Sequence, residues 1–218
     1  MNQCLNRCPW CLGDEAMQSY HDTEWGVPVC DDPKIFEFLV LETAQAGLSW
    51  RTILHRRAGY RAAFAQFDPQ AVACFDDDDS ARLLADAGII RNLAKIKATI
   101  GNARAFLRVQ ALHGSFAAWQ WRFVNGTPII GGHRTHVGVP ATSALSDKIA
   151  KELKALGFSF VGSTVLYAHM QACGMINDHL VDCFRFSQVT DMAAEIPRLL
   201  AKNRPAQILS LSSAIGVH

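Results

Sequence analysis

The 218 residues contain no long apolar span, and the opening Met1-Asn2-Gln3-Cys4 has no apolar run behind a basic start. Neither secretion nor membrane insertion is therefore expected, and a cytoplasmic location is. Charge of one sign is also lacking. Lys and Arg number 21 against 20 Asp and Glu, a formal net charge of +1. No chain-wide basicity advertises a nucleic acid, so any DNA-binding surface has to be a local patch. An even set of cysteines is missing too: the seven present cannot all pair, which fits reduced thiols in a cytosolic chain. No internal repeat, convincing strand alternation or H-E-x-x-H arrangement occurs. What remains is half hydrophobic, enough to bury a large core in one globular domain.

Within that composition stands a split quartet of metal-type ligands, Cys8 and His21 near the start, His179 and Cys183 near the end. His179-Leu180-Val181-Asp182-Cys183 spaces two ligands at i and i+4, which predicts one face of a helix over residues 177–183. Two thiolates and two imidazoles suit a closed tetrahedral Zn²⁺ site with a structural role, one ion stapling the two ends of the domain. Cys8-Pro9-Trp10-Cys11 is also a C-x-x-C, but no thioredoxin-like strand precedes it, which favours Cys8 as a zinc ligand over a redox pair. Cys4 and Cys11 are extra thiols beside the quartet, able to compete for the metal. Cys30, Cys74 and Cys173 are expected to fill space without chemistry.

The pattern predicts an all-α chain. Asp32-Pro33 reads as a cap and a first-turn proline, opening a helix over 32–46 that Gly47 closes. Further helices are expected over 50–64, 69–75, 92–112, 116–124, 142–156 and 163–172, with a peripheral one over 191–202 and fraying beyond. The acidic run Asp76–Asp79 caps a helix starting near Ser80 rather than binding metal. Residues 125–140, rich in glycine and proline, read as a long loop, which places His133 and His136 on a loop surface, within reach of a phosphate if the loop approaches DNA.

Glu42 is out of place. Ile35, Leu39, Glu42 and Ala46 share an apolar face, where a carboxylate costs free energy without a partner or a task. The residues alone leave two readings open. Glu42 either pairs with a buried Arg or caps a neighbouring helix, or it floors a polar and aromatic pocket with Gln45, Ser49, Trp50, Tyr20 and Trp25. A second feature also stays open. The turn from Gly157 through Phe160 and Gly162 to Ser163 and Thr164 is either an ordinary link between helices or a phosphate-holding helix-hairpin-helix module. Lys148, Lys151 and Lys154 on the preceding helix suit phosphate contact or a solvated face.

Several segments taken together closely resemble the DNA-3-methyladenine glycosylase I family. They are Arg7-Cys8-Pro9-Trp10, Tyr20-His21-Asp22-Thr23-Glu24-Trp25-Gly26-Val27-Pro28 and Leu41-Glu42-Thr43-Ala44-Gln45-Ala46-Gly47-Leu48-Ser49-Trp50. Asp86-Ala87-Gly88-Ile89-Ile90-Arg91, Ile100-Gly101-Asn102-Ala103-Arg104-Ala105, the 157–162 turn, Met170-Gln171-Ala172-Cys173-Gly174 and Asn177-Asp178-His179 complete the set, in order, over residues 7–183. The resemblance implies a helix-hairpin-helix DNA glycosylase fold, with residues 1–186 as one zinc-stapled domain and 187–218 as a C-terminal extension, a peripheral helix or disordered. It implies base-excision repair by hydrolysis of the N-glycosidic bond of 3-methyladenine in alkylated double-stranded DNA, by a cytoplasmic monomer that flips the base out of the helix. It also implies Cys8, His21, His179 and Cys183 as zinc ligands, Glu42 as the base-contacting carboxylate, Tyr20 and Trp50 as pocket residues, and Trp10 and Trp25 near the pocket.

The chain departs from that pattern at Asp14-Glu15-Ala16-Met17, where the family commonly has a proline and an aromatic residue. Met17 therefore alters one pocket wall, in a way that still packs on a purine. Two rival classes remain at this stage. A catalytic zinc would need an open coordination position, which four protein ligands do not leave. A binder of damaged DNA that lacks turnover would keep the fold, but the intact Glu42, Gln45 and Trp50 set speaks for activity.

Overall fold

The computed structural model describes residues 5–202. The expected fraying of the last residues and the extra thiol of Cys4 lie outside the described residues. Among the described residues twelve α-helices follow one another: α1 (Glu15–Thr23), α2 (Asp32–Gln45), α3 (Trp50–Leu54), α4 (Arg57–Ala63), α5 (Pro69–Ala73), α6 (Asp77–Ala85), α7 (Leu93–His113), α8 (Phe116–Trp121), α9 (Ala144–Ala155), α10 (Ser163–Ala172), α11 (Arg185–Met192) and α12 (Ile196–Lys202). Two short parallel strands, β1 (Ile129–Ile130) and β2 (Ile176–Asn177), pair Ile129 with Ile176 and Ile130 with Asn177. Among the described residues no helix is long and apolar enough to cross a membrane.

α2 is the central helix, buried nearly all round from Ile35 to Ala44. α7, α8 and α10 pack against it. Phe36, Phe106 and Phe116 form the middle of the core, with ring centroids 5.3 and 4.3 Å apart in sequence. Asp31, rather than the expected Asp32, caps α2 by accepting from Lys34 N at 3.1 Å. Asp32 instead turns its carboxylate on α8, accepting from the backbone N–H groups of Phe116 and Ala117 at 2.8 Å each. An anion there satisfies two amides at the start of a buried helix. Asp76 caps α6 through a capping box with Asp79, the role expected of the acidic run.

Two expectations need correction. The single helix expected over 50–64 is broken at His55 and Arg56 into α3 and α4. The break lets Arg57 reach Glu37 at 2.9 Å and Glu24 at 2.6 Å, tying α4 to α2 and the end of α1. The helix expected over 177–183 is absent. Its amides are spoken for elsewhere: Val181 N donates to His133 O at 3.0 Å, and His179 N donates to the Asn177 side chain at 3.2 Å. The described part of the expected extension, up to residue 202, holds α11 and α12, with Val189 and Ile196 buried.

Gly174 marks where the two ends of the chain cross. Its φ is +71°, and a Cβ there would lie 2.5 Å from Pro28 N and 2.6 Å from Gly26 O. Both the backbone conformation and the close approach demand glycine. We expect Gly174→Ala to destabilise the protein by about 2–4 kcal/mol, a fall in Tm of order 4–16 °C for a chain this size. Denaturant unfolding of the two proteins side by side measures it, and equal midpoints would contradict the assignment.

Candidate active site and metal centre

A cleft of about 430 Å³ opens between α1, α2, α3, α10 and the loop after β1. Trp10, Met17, Tyr20, Trp25, Glu42, Gln45 and Trp50 line it, all of them singled out in the sequence. Glu42 lies in the second half of α2, on the face turned toward α10. Trp50 opens α3 across the Gly47 turn, where φ is +77°. Lys95 holds that turn from below, donating to Ala44 O at 2.8 Å and Ala46 O at 2.6 Å. A cation on the last carbonyls of α2 both satisfies them and matches the helix dipole. Ser49 is exposed and lies outside the lining, its hydroxyl capping α3 by accepting from Thr52 N at 3.2 Å. Met17 is held in place by the Asp14 cap of α1, whose carboxylate also meets His55 Nε2 at 2.8 Å.

The walls are aromatic. Tyr20 and Trp50 have ring centroids 5.1 Å apart, and Trp10 and Trp25 are 5.0 Å apart. Against those faces stand three buried polar atoms without hydrogen-bond partners among the described residues: Glu42 Oε1, Trp10 Nε1 and Trp50 Nε1. Orphaned buried polar atoms cost free energy that an occupant can return. One acceptor and two donors between aromatic faces suit a flat heterocycle with both kinds of edge group. Burial pushes the Glu42 carboxyl above its ordinary range, and His169 opposes the shift. Burial, reinforced by Glu42, pushes the Tyr20 phenol well above its usual value.

Some residues in and under the cleft carried a weaker signal or none. His169 meets Glu42 Oε2 with Nδ1 at 2.8 Å, deep beneath the cleft. It sits on a buried stripe of α10 with Leu166, Met170 and Cys173, so the reasoning that exposed Glu42 applies to it equally. Gln171, Ala168 and the loop residues His136, Val139, Pro140 and Ala141 complete the lining. The loop has no periodicity to read, and only the fold brings it over the cleft. His133 lies 3.3 Å from Asp178 and stays away from the cleft.

Cys8, His21, His179 and Cys183 converge, every one of them buried, with ligand atoms within 4.8 Å of one another. Cys183 Sγ lies 3.5 Å from His21 Nε2 and 3.6 Å from His179 Nδ1, and Cys8 Sγ lies 3.8 Å from His179 Nδ1. Tetrahedral zinc, with bonds of ~2.3 Å to sulfur and ~2.0–2.1 Å to nitrogen, separates such atoms by roughly 3.6 Å, so the donor set fits a metal ion. The surroundings match as well. His21 Nδ1 is 2.7 Å from Asp22, which Arg7 holds in turn at 2.8 Å, and His179 Nε2 donates to Trp25 O at 3.0 Å. Such partners fix the ring orientation of ligating histidines. Leu180 N and Arg185 N point at the two sulfurs, each at 3.5 Å. Cys11 is not part of the group: its thiol donates to Cys8 O at 3.1 Å, and burial pushes its pKa up to about 11. A buried, protonated thiol makes a poor redox partner.

α9 and α10 are joined by a turn over residues 156–162. Gly157 has φ +93° and Phe160 has φ +57°, and Phe160 is exposed. Asn102 of α7 clamps the turn from both sides, donating to Ser159 O at 3.0 Å and accepting from Ser159 N at 2.8 Å. Gly162 leads into α10, the Ser163 hydroxyl bonds the Ser146 hydroxyl at 2.8 Å, and Thr164 is exposed. Lys148, Lys151 and Lys154 are exposed on α9.

Comparison with known proteins agrees with this arrangement. Residues 10–186 match the methyladenine glycosylase family. The DNA-3-methyladenine glycosylase 1 of Escherichia coli strain K12 is 48% identical over 179 residues, 82% of this chain and 96% of that protein. The DNA-3-methyladenine glycosylase of Haemophilus influenzae is 42% identical over 178 residues, 81% of this chain and 96% of its own. A solved structure of Staphylococcus aureus 3-methyladenine DNA glycosylase I, concerned with 3-methyladenine recognition, superposes with a TM-score of 0.81 at 32% identity. It covers 84% of this chain and 98% of that one. With the matched segment containing the cleft and three of the four metal-type ligands, and Cys8 just before it, the chain belongs to the methyladenine glycosylase family.

Proposed function

We propose that this chain is a base-excision repair glycosylase that hydrolyses the N-glycosidic bond of 3-methyladenine in alkylated double-stranded DNA. The observation that carries the reading is the unpartnered Glu42 Oε1 in an aromatic-walled cleft of this family. A nucleotide flipped out of the stack, at a cost of a few kcal/mol, brings its base between Tyr20, Trp10 and Trp50. Glu42 Oε1 accepts from the exocyclic amine, and the indole N–H groups of Trp10 and Trp50 are available to ring nitrogens. A base methylated at N3 carries positive charge, worth ~0.5–2 kcal/mol over an indole face. Its glycosidic bond is already weak. Water adds to C1′ as the bond breaks, the bonding pair leaves with the base and neutralises it, and the water's proton goes to solvent. No strong general acid is required, so the cleft's task is selection. Met17 narrows one wall against the purine.

The same reading gives the remaining parts their tasks. Backbone amides at Gly157, Phe160 and Gly162, with Ser163 and Thr164 opening α10, form a helix-hairpin-helix contact to a phosphate, supported by Lys148, Lys151 and Lys154. Cys8, His21, His179 and Cys183 hold one structural Zn²⁺ per chain, which cross-links the two ends of the fold. Trp10 and Trp25 pack on the ligand rings His21 and His179, at 5.4 and 4.6 Å between centroids, so the metal centre buttresses the aromatic wall. The protein acts as a cytoplasmic monomer without a membrane partner.

Purified protein should release free 3-methyladenine from methylated duplex DNA. Glu42→Gln should lose about 10- to 100-fold in single-turnover excision, the scale of one charge-assisted hydrogen bond. Excision by the variant at the wild-type rate would remove any charge-dependent role for Glu42. Tight binding of damaged DNA without release would make the protein a binder. For the metal, one zinc per chain should be found by elemental analysis. Cys183→Ser should lose it together with several kcal/mol of stability, and a chelator should abolish excision only as the protein unfolds. Instant loss of excision with the fold intact would instead mark the metal as catalytic.

A further inference from the structure

A carboxylate as buried as Glu42 takes up a proton unless a partner holds its charge. That partner comes from α10. His169 is also buried, its Nδ1 2.8 Å from Glu42 Oε2 and its Nε2 3.1 Å from Gln120 Oε1 on α8. With Gln120 turned so that its Oε1 faces the ring, an imidazole between two acceptor oxygens donates to both only as the imidazolium. The other titratable groups facing the pair are Cys173, one turn along α10 with Sγ 3.5 Å from His169 Nε2, and Tyr20 from α1. Burial raises both the thiol and the phenol, which keeps them uncharged at neutral pH.

We propose that His169, as an imidazolium braced by Gln120, is a positioning residue for base recognition: it holds Glu42 ionised and turns Oε1 toward the flipped base. The proposal rests on the reading of Glu42 as the base-contacting carboxylate. One hydrogen bond to Oε2 fixes the plane of the carboxylate and leaves Oε1 as its outward acceptor. The pair has no net charge, so the cleft offers an aimed acceptor rather than a negative well, and preference for a cationic base comes from the indole faces. The electrostatics run the same way. Burial alone would lower the His169 pKa, but the Glu42 carboxylate beside it raises it, and the net shift is upward. Glu42 is raised by burial and held back by His169, so deleting the imidazole leaves only the raising influence.

The test titrates free 3-methyladenine into the full-length chain by tryptophan fluorescence, from about pH 6.5 to about pH 9, for wild type, His169→Phe, His169→Gln and Glu42→Gln. Ratios to wild type at each pH cancel the titration of the base itself. His169→Phe should bind about tenfold or more weakly at the acid end and approach wild type at the alkaline end, as Glu42 regains its charge. His169→Gln, which keeps a donor for Oε2, should recover part of the loss and serves if the Phe variant is unstable. Glu42→Gln should be weak with no such pH trend. In ¹⁵N spectra of the wild type, both His169 ring nitrogens should be protonated at neutral pH. A pH-independent ratio for both His169 variants, or a neutral His169, overturns the proposal. Glu42→Gln binding as tightly as wild type would instead overturn the reading beneath it.

Discussion

Glu42 is 3% exposed, with one carboxylate oxygen on His169 and the other on no partner among the described residues. Burying a charge that completely costs several kcal/mol, and a single ion pair of good geometry does no more than offset it. The fold has therefore to supply an exact counterpart from a distant part of the chain, 127 residues on, and a third helix to brace it. α2, α8 and α10 are packed at the spacing this triad requires. The remaining helices close around them with an apolar core in which Phe36, Phe106 and Phe116 interlock. A carboxylate half satisfied within the protein keeps an acceptor that an occupant of the cleft can complete.

The cleft wall has a different origin. Trp10, Tyr20 and Trp25 all come from the first 25 residues, where α1 and its flanks carry little core of their own. Those residues lean on the cluster of Cys8, His21, His179 and Cys183, whose histidine rings the tryptophans meet edge-on. Crossing of the two chain ends at Gly174 brings the halves of that cluster together. The Cys/His cluster and the aromatic wall of the cleft are thus packed as one structure, each covering part of the other.

Much of this was legible in order of residues. The cap signals, the apolar stripes and the glycine stops give the helices of the core, because helix ends and faces are decided by neighbours three and four residues away. Misreadings fall where distant groups take over local hydrogen bonds. Residues 177–183 have helical spacing, yet His133 O and the Cys8 sulfur capture their amides, and a turn results. Asp32 has the look of a cap, yet it serves a helix more than eighty residues away. Ser49 shares the turn with Trp50 but spends its hydroxyl on its own helix.

By itself, the sequence determined which residues the fold gathers at the cleft and at the Cys/His cluster: a misplaced carboxylate on an apolar stripe, a split Cys/His quartet, and tryptophans with one tyrosine near one end. Residue type and short-range periodicity are properties of the chain, so they can be read before it folds. Only the tertiary structure decided how those residues are partnered. That His169 rather than an arginine meets Glu42, that Gln120 stands behind it, and that the His136 loop roofs the cleft all depend on contacts between segments tens of residues apart. Such contacts are set by how helices pack, and no local pattern encodes them.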